Sequence, residues 1–113
     1  MVKALPIHEQ VVLVTGGARG LGAEITRAFI NEGARVVINY LSSEKAANEL
    51  VALAPERTIA IQADVCDKTA VEKMVKEAQT HFGQAITTVV NNALPAFSFN
   101  GDARPHAEAL TWD

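Results

Sequence analysis

A run of β-branched residues at 10–15 (QVVLVT) leads directly into Gly16-Gly17-Ala18-Arg19-Gly20-Leu21-Gly22, and a helical apolar pattern starts where the glycines end. A strand, a turn with spaced glycines and a helix, in that order, constrain the fold more than any other stretch of the chain. Such a turn gives the new helix an open N-terminus, with exposed N–H groups and the positive end of the helix dipole. A phosphate group needs both, and the pyrophosphate of a dinucleotide is the expected occupant. Side chains would block that approach, which is a reason for Gly16, Gly20 and Gly22. The spacing Gly-x-x-x-Gly-x-Gly differs from the commoner Gly-x-Gly-x-x-Gly. It also lacks the Gly-Lys-Ser/Thr ending of a triphosphate loop, which argues against ATP or GTP. The competing reading is a tight turn whose glycines serve only helix–strand packing.

Two kinds of segment alternate along the rest of the chain. Residues 34–40 (ARVVINY), 57–63 (RTIAIQA) and 85–91 (AITTVVN) repeat the apolar, β-branched character of residues 10–15. Continuous runs of this kind predict strands covered on both faces, as in parallel sheets. Between them, Leu21, Ile25, Ala28 and Phe29 form one helical stripe, followed by Gly33 as its stop. Ala46, Ala47, Leu50, Val51 and Ala54 form a second, stopped by Pro55. Val71, Met74, Val75, Ala78 and Phe82 form a third, with Asp67 or Thr69 as its cap and Gly83 at its end. The alternation predicts an α/β fold, a doubly wound parallel sheet of Rossmann type with strand order 3-2-1-4. Residues 1–113 read as the N-terminal, dinucleotide-binding half of such a domain, truncated before its second half. Residues 94–105 read as a loop, and Thr111-Trp112-Asp113 as the first turn of a further helix.

Composition narrows the class. The 113 residues are 49% hydrophobic, enough for a packed core, and the net charge of −3 offers no general attraction to nucleic acid or anionic lipid. No apolar run approaches the ~20 residues of a membrane helix, and residues 1–10 lack a signal-peptide core. A single cysteine, Cys66, suits a reducing compartment, so a cytoplasmic location is expected. His8, His81, His106 and Cys66 are scattered without ligand spacing, so no metal site is expected. Ser98 has no evident partner base for nucleophilic catalysis.

Three motifs in order carry a family resemblance. Thr15-Gly-x-x-x-Gly-x-Gly22, then Asp64-Val65 after the third strand, then Asn91-Asn92-Ala93 after the fourth, resemble the signatures of the short-chain dehydrogenase/reductases. Within that family the chain looks most like the 3-oxoacyl-carrier-protein reductases. The resemblance spans residues 10–93. It implies a nicotinamide dinucleotide cofactor, with Gly16, Arg19, Gly20, Leu21 and Gly22 around the pyrophosphate and adenosine ribose. It implies that Asp64 accepts a hydrogen bond from the adenine amino group, that the Val65 backbone completes the adenine edge, and that Asn91 and Ala93 lie by the adenosine ribose. The plainer roles remain open: Asp64 as a turn former, Asn92 as a tie between strand ends.

Residues at the end of the second strand bear on cofactor choice. NAD enzymes usually carry Asp or Glu there; this chain has Asn39, followed by Tyr40, Leu41, Ser42 and Ser43. Asn39 does not repel a 2′-phosphate. Arg19 can pair with one, and Ser42 and Ser43 can donate to it. NADP is therefore expected, with NAD as the alternative; equally plain readings are a solvated Arg19 and serines that cap a helix.

The chain departs from the family in two places. The usual Asn-Asn-Ala-Gly is Asn91-Asn92-Ala93-Leu94, and Leu94-Pro95 makes that passage bulkier. The family's catalytic Ser and Tyr-x-x-x-Lys are also absent from these residues: the only tyrosine, Tyr40, has Glu44 four residues on, and Asn100 lies in a loop. The expected protein is the NADP-binding part of an oxidoreductase that moves hydride to or from a carbonyl or secondary alcohol. This stretch alone is expected to be inert, marginally stable or prone to association through an open strand edge, and the intact enzyme to be a homo-oligomer. The alternative is a stand-alone nucleotide-binding or regulatory module. A sugar-nucleotide epimerase relative would show Gly-x-x-Gly-x-x-Gly, which does not fit.

Overall fold

The computed structural model describes residues 5–93. Residues 94–105, Asn100, Ser98, His106 and the expected helix start at Thr111-Trp112-Asp113 lie outside them. Four strands, β1 (Val11–Val14), β2 (Arg35–Tyr40), β3 (Thr58–Gln62) and β4 (Thr88–Val90), alternate with α1 (Gly20–Asn31), α2 (Glu44–Val51) and α3 (Lys68–Phe82). The strands form one sheet in the order β3-β2-β1-β4, and every pair is parallel. The expected architecture is therefore present. The strands are shorter than their apolar runs because each run also supplies the turn residues at its ends.

The sheet has two unlike faces. Val12, Val14, Val36 and Ile38 pack with Ala23, Ile30, Ala47 and Leu50 of α1 and α2, while Val11, Leu13, Val37 and Ile61 pack with Met74 and Ala78 of α3. Strand residues alternate between faces with a period of two, so continuous valine runs are needed where both faces are covered. β1 and the four inner residues of β2 meet that expectation fully. β4 does not: its Val89 pairs in register with Leu13 yet is exposed. Among the described residues no helix extends over Val89, so a β-branched run alone did not guarantee cover on both faces.

The stripes of α2 and α3 sit as expected, with Ala47, Leu50, Met74 and Ala78 buried. α2 ends at Val51, and Ala54 is buried in the turn that follows rather than in the helix itself. Of the two caps considered for α3, Asp67 is the one used: its side chain accepts a hydrogen bond from the Ala70 N–H at 3.2 Å. Gly83 ends the helix at φ 65°, in the left-handed region that favours glycine.

The stripe of α1 is displaced from its expected place. Gly22, Ala23, Thr26 and Ile30 are buried, Ile25 and Phe29 flank them, and Leu21 and Ala28 face outward. The cause is the entry of the helix, because Gly22 packs directly beside the Gly16 carbonyl and sets the rotation of all that follows. One residue of shift turns a helix by roughly 100°. Thr26 hides in the buried face because its hydroxyl donates to the Gly17 carbonyl at 2.9 Å, so an apolar count passes over it.

Two truncations separate the observed stripe from the expected one. Ile30→Ala should cost about 2–5 kcal/mol, whereas Leu21→Ala should leave stability within about 0.5 kcal/mol. Urea unfolding of both variants checks this, and a large loss from Leu21→Ala would contradict the observed rotation.

Candidate functional site

The strand C-termini, the glycine turn and the start of α1 meet at one end of the sheet. Thr15, buried at the end of β1, organises the meeting point. Its hydroxyl accepts from the Asn92 N–H at 2.9 Å and the Ala93 N–H at 3.0 Å, and donates toward Asn91 Oδ1 at 3.2 Å. One hydroxyl thus uses its donor and both acceptor positions. Asn92 Nδ2 donates to the Gly16 carbonyl at 3.1 Å, so Asn92 does tie strand ends together.

The glycines do different jobs, and only Gly20 has open space where a side chain would stand. A Cβ on Gly22 would lie 2.0 Å from the Gly16 oxygen, so packing within the protein already requires glycine there. Gly16 has φ +61°, and a Cβ on it would crowd Ala93 and Asn92. Gly20 has φ +55° and nothing within 4 Å of a Cβ, so it is the glycine that faces open space. The competing reading of the turn therefore holds for Gly22 and in part for Gly16. Gly17, an unmarked position in the motif, is equally constrained, since a Cβ would meet Thr26 Oγ1 at 2.8 Å.

α1 begins without a side-chain cap. Arg19 is its N-cap residue in extended conformation and makes no capping hydrogen bond. The first N–H groups of a helix have no partner within it, and here nothing polar from a cap side chain supplies one. Arg19 is exposed, and no acidic side chain among the described residues pairs with it.

Two adjoining clefts flank the turn. The first, about 240 Å³, is lined by Gly16, Ala18, Arg19, Tyr40, Leu41, Ser42 and Ser43. Ser43 stands at the N-cap of α2 but makes no side-chain capping bond, so its hydroxyl is not spent on the helix. The second, about 250 Å³, is lined by Gly16, Asn39, Leu41, Ala63, Asp64, Val65, Cys66 and Ala93. The two share Gly16 and Leu41, at the carboxyl ends of parallel strands, where ligands of open α/β sheets bind.

The site residues named from sequence fall into three groups. Arg19, Ser42 and Ser43 come together on the first cleft, Asn39, Asp64, Val65 and Ala93 on the second, and Gly16 on both. Gly20, Leu21 and Gly22 sit at the start of α1 and line neither, and Asn91 bonds to Thr15 beside the turn. Asn39 needs correction as the open strand-end residue of the phosphate-side cleft, for it lines the second cleft and not the first. Its side chain is 2% exposed and bonded to backbone on both sides, because the period of two turns it into the sheet. Tyr40, one residue later, is the strand-end residue that opens on the first cleft. Thr15, which holds the turn, and Tyr40, which lines the first cleft, add to the residues that the motifs mark. Thr15's place before the first glycine and Tyr40's place at the true end of the strand were the available signals.

Asp64 forms the turn that the plainer reading foresaw: its Oδ1 accepts from the Cys66 N–H at 2.9 Å. The Cys66 thiol has a raised pKa, through desolvation first and then the charge and hydrogen bonding of Asp64. Among the described residues no cluster of His, Cys, Asp and Glu could hold a metal ion, and no helix is long and apolar enough to cross a membrane.

The same stretch matches known proteins. The family model for short chain dehydrogenase matches residues 10–104. A hydroxynaphthalene reductase of Aspergillus fumigatus is 38% identical over 96 residues, covering 82% of this chain and 35% of its own length. A doubly substituted short-chain dehydrogenase/reductase of Serratia marcescens superimposes with a TM-score of 0.75 at 31% identity, over 91% of this chain and 43% of that one. A structure described as a putative 3-oxoacyl-reductase from Bacillus thuringiensis gives 0.73 at 30% identity, over 88% and 43%. The chain spans about a third of the length of the curated relatives it matches (35% for the reductase above).

Two measurements check this geometry. Gly22→Ala should cost about 3 kcal/mol or more, as severe overpacking does, while Gly20→Ala should cost only the about 1–2 kcal/mol of a left-handed backbone; thermal melts of the pair decide it. Alkylation of Cys66 by iodoacetamide should reach half its maximal rate at a higher pH than a free cysteine, because the raised pKa delays thiolate formation. Asp64→Asn should move that midpoint down.

Proposed function

The chain belongs to the short-chain dehydrogenase family, and on that footing we propose that it forms the NADP(H)-binding part of an oxidoreductase acting on a carbonyl or secondary alcohol. The observation that carries the reading is the pair of clefts meeting at Gly16, one rich in phosphate donors and the other bounded by Asp64 and Val65. The residues fit a dinucleotide. α1 offers uncapped N–H groups and a dipole for the pyrophosphate, and Gly20 leaves the approach open.

In this reading the nicotinamide ring supplies or accepts the hydride when the cofactor is bound. The chain's own residues bind and orient it. Arg19 is a permanent cation whose planar fork suits a phosphate monoester, and Ser42 and Ser43 are hydroxyl donors on the same cleft. Tyr40, which occupies the strand end where NAD enzymes carry a carboxylate, puts no negative charge against a 2′-phosphate. The preference for NADP thus rests on Tyr40 rather than Asn39. On the second cleft Asp64 keeps an acceptor oxygen for the adenine amino group, with the Val65 backbone beside it. Gly16, Leu21, Gly22, Asn91 and Ala93 complete the proposed contacts around the ribose and pyrophosphate.

The Ser and Tyr-x-x-x-Lys that move the proton in this family are not among these 113 residues. We therefore assign this chain the cofactor half of the reaction and no hydride transfer by itself. The lone exposed cysteine suits a cytoplasmic setting, and a homo-oligomeric enzyme of the 3-oxoacyl-reductase kind is the proposed whole.

Fluorescence titration with NADPH and NADH tests the reading. NADPH should bind more tightly, and Arg19→Ala should weaken NADPH about 10-fold or more, as loss of a charge-assisted pair does, while changing NADH little. Tighter binding of NADH to the unaltered chain would overturn the cofactor assignment.

A further inference from the structure

We infer that Asn39 is a positioning residue that holds the phosphate turn in register with the adenine edge, acting through its hydrogen bonds to the turn and to β3. This rests on the dinucleotide reading above and deepens it. Asn39 is the next-to-last residue of β2 and is 2% exposed. Its Oδ1 accepts from the Gly16 N–H at 3.1 Å, and its backbone carbonyl accepts from the Gly17 N–H at 2.8 Å. Its Nδ2 donates to the Ala63 carbonyl at 3.1 Å and toward the Ile61 carbonyl at 3.4 Å. One side chain therefore joins the floor of the first cleft to the wall of the second.

The chemistry of the position is demanding. Val37, two residues earlier on the same face, is part of the apolar core, so the sheet itself does not call for a polar group there. What calls for one is a turn N–H on one side and strand-end carbonyls on the other. Among side chains this short, only asparagine presents an acceptor and a two-proton donor together. An aliphatic residue would fill the space and leave the Gly16 N–H and the Ala63 carbonyl without these partners.

Asn39→Asp separates this role from mere filling. A protonated carboxyl can accept from Gly16 and donate to Ala63, as the amide does. An ionised carboxylate can still accept, but its second oxygen then faces the Ala63 and Ile61 carbonyls. Burial and those carbonyls both favour the neutral form, so the introduced group should titrate above the usual carboxylate range. Tyr40 on β2, Asp64 and Cys66 after β3, and Arg19 in the turn are the titratable and charged groups that share the two clefts. α3 turns its apolar Met74 and Ala78 to this face. With the folded pKa raised, alignment is present at low pH and is lost as pH rises through it.

The test uses the whole chain, with NADPH and NADH as probes. The ratio of N39D to unaltered dissociation constants cancels the titration of the cofactor's own phosphate. It should lie within about 3-fold at about pH 5.5 and exceed about 10-fold at about pH 8.5, since each pKa unit of differential interaction is tenfold. Exchange of the Gly16 amide, followed by NMR without cofactor, should accelerate over the same range. A ratio that stays near one at both pH values, with Gly16 equally protected, overturns the inference. If N39D unfolds at high pH, Asn39→Ala is read instead: a loss of about 10-fold or more, flat in pH, supports the role, and unchanged affinity overturns it. If the unaltered chain binds neither dinucleotide, the cofactor reading fails, and Gly16 exchange in N39D still decides whether Asn39 holds the turn.

Discussion

The contact between the Gly22 backbone and the Gly16 carbonyl governs the rest of the molecule's working end. It lets α1 start close beside the end of β1, with no side chain between Gly16 and Gly22 to hold the two backbones apart. The rotation of α1 follows from it, and with that rotation the burial of Ala23, Thr26 and Ile30. The orientation of the uncapped helix start follows as well. A close backbone approach of this kind is rigid because there is no rotamer to adjust.

Around that contact the turn is held by polar ties rather than by apolar packing alone. Thr15 fastens it to the end of β4, Asn39 to the end of β3, and Thr26 to α1. Each tie uses a buried side chain whose polar atoms are satisfied by backbone. Leaving such groups unpaired costs more than a formed bond contributes, which gives the arrangement a single geometry. The groups on the rim of the first cleft, Arg19, Ser42 and Ser43, are by contrast free of such ties in their side chains. Rigid floor and available rim are thus supplied by different residues of the same short segments.

Much of this was legible beforehand. Alternating β-branched runs and 3.6-period stripes identified the four strands and three α-helices among the described residues, though not the short 3-10 turn at Ile7–Glu9, and parallel strands of such a chain have few ways to connect. The glycine spacing, Asp64-Val65 and Asn91-Asn92-Ala93 all fall at one end of the sheet, where the two clefts lie. What misled was confined to positions where one residue of register matters. At the end of β2, Asn39 is enclosed against the second cleft, and Tyr40 is the residue that opens on the first. Leu21 and Ala28 were read into the stripe of α1, and Thr26 and Ile30 are the residues that fill it.

By itself, then, the order of residues determined the class of fold, the strand order and the segments that border the clefts, because periodicity and spacing are local properties. Tertiary structure decided which side chains open on the clefts and which are enclosed by the protein. Asn39 and Ser42 are both small polar residues near the end of one strand, yet one is enclosed and the other is exposed. Only the packing of Gly22 against Gly16, and the hydrogen bonds that converge on Asn39, distinguish them. The hydrogen bonds on Asn39 join residues 22 to 24 positions apart, beyond the reach of any local pattern.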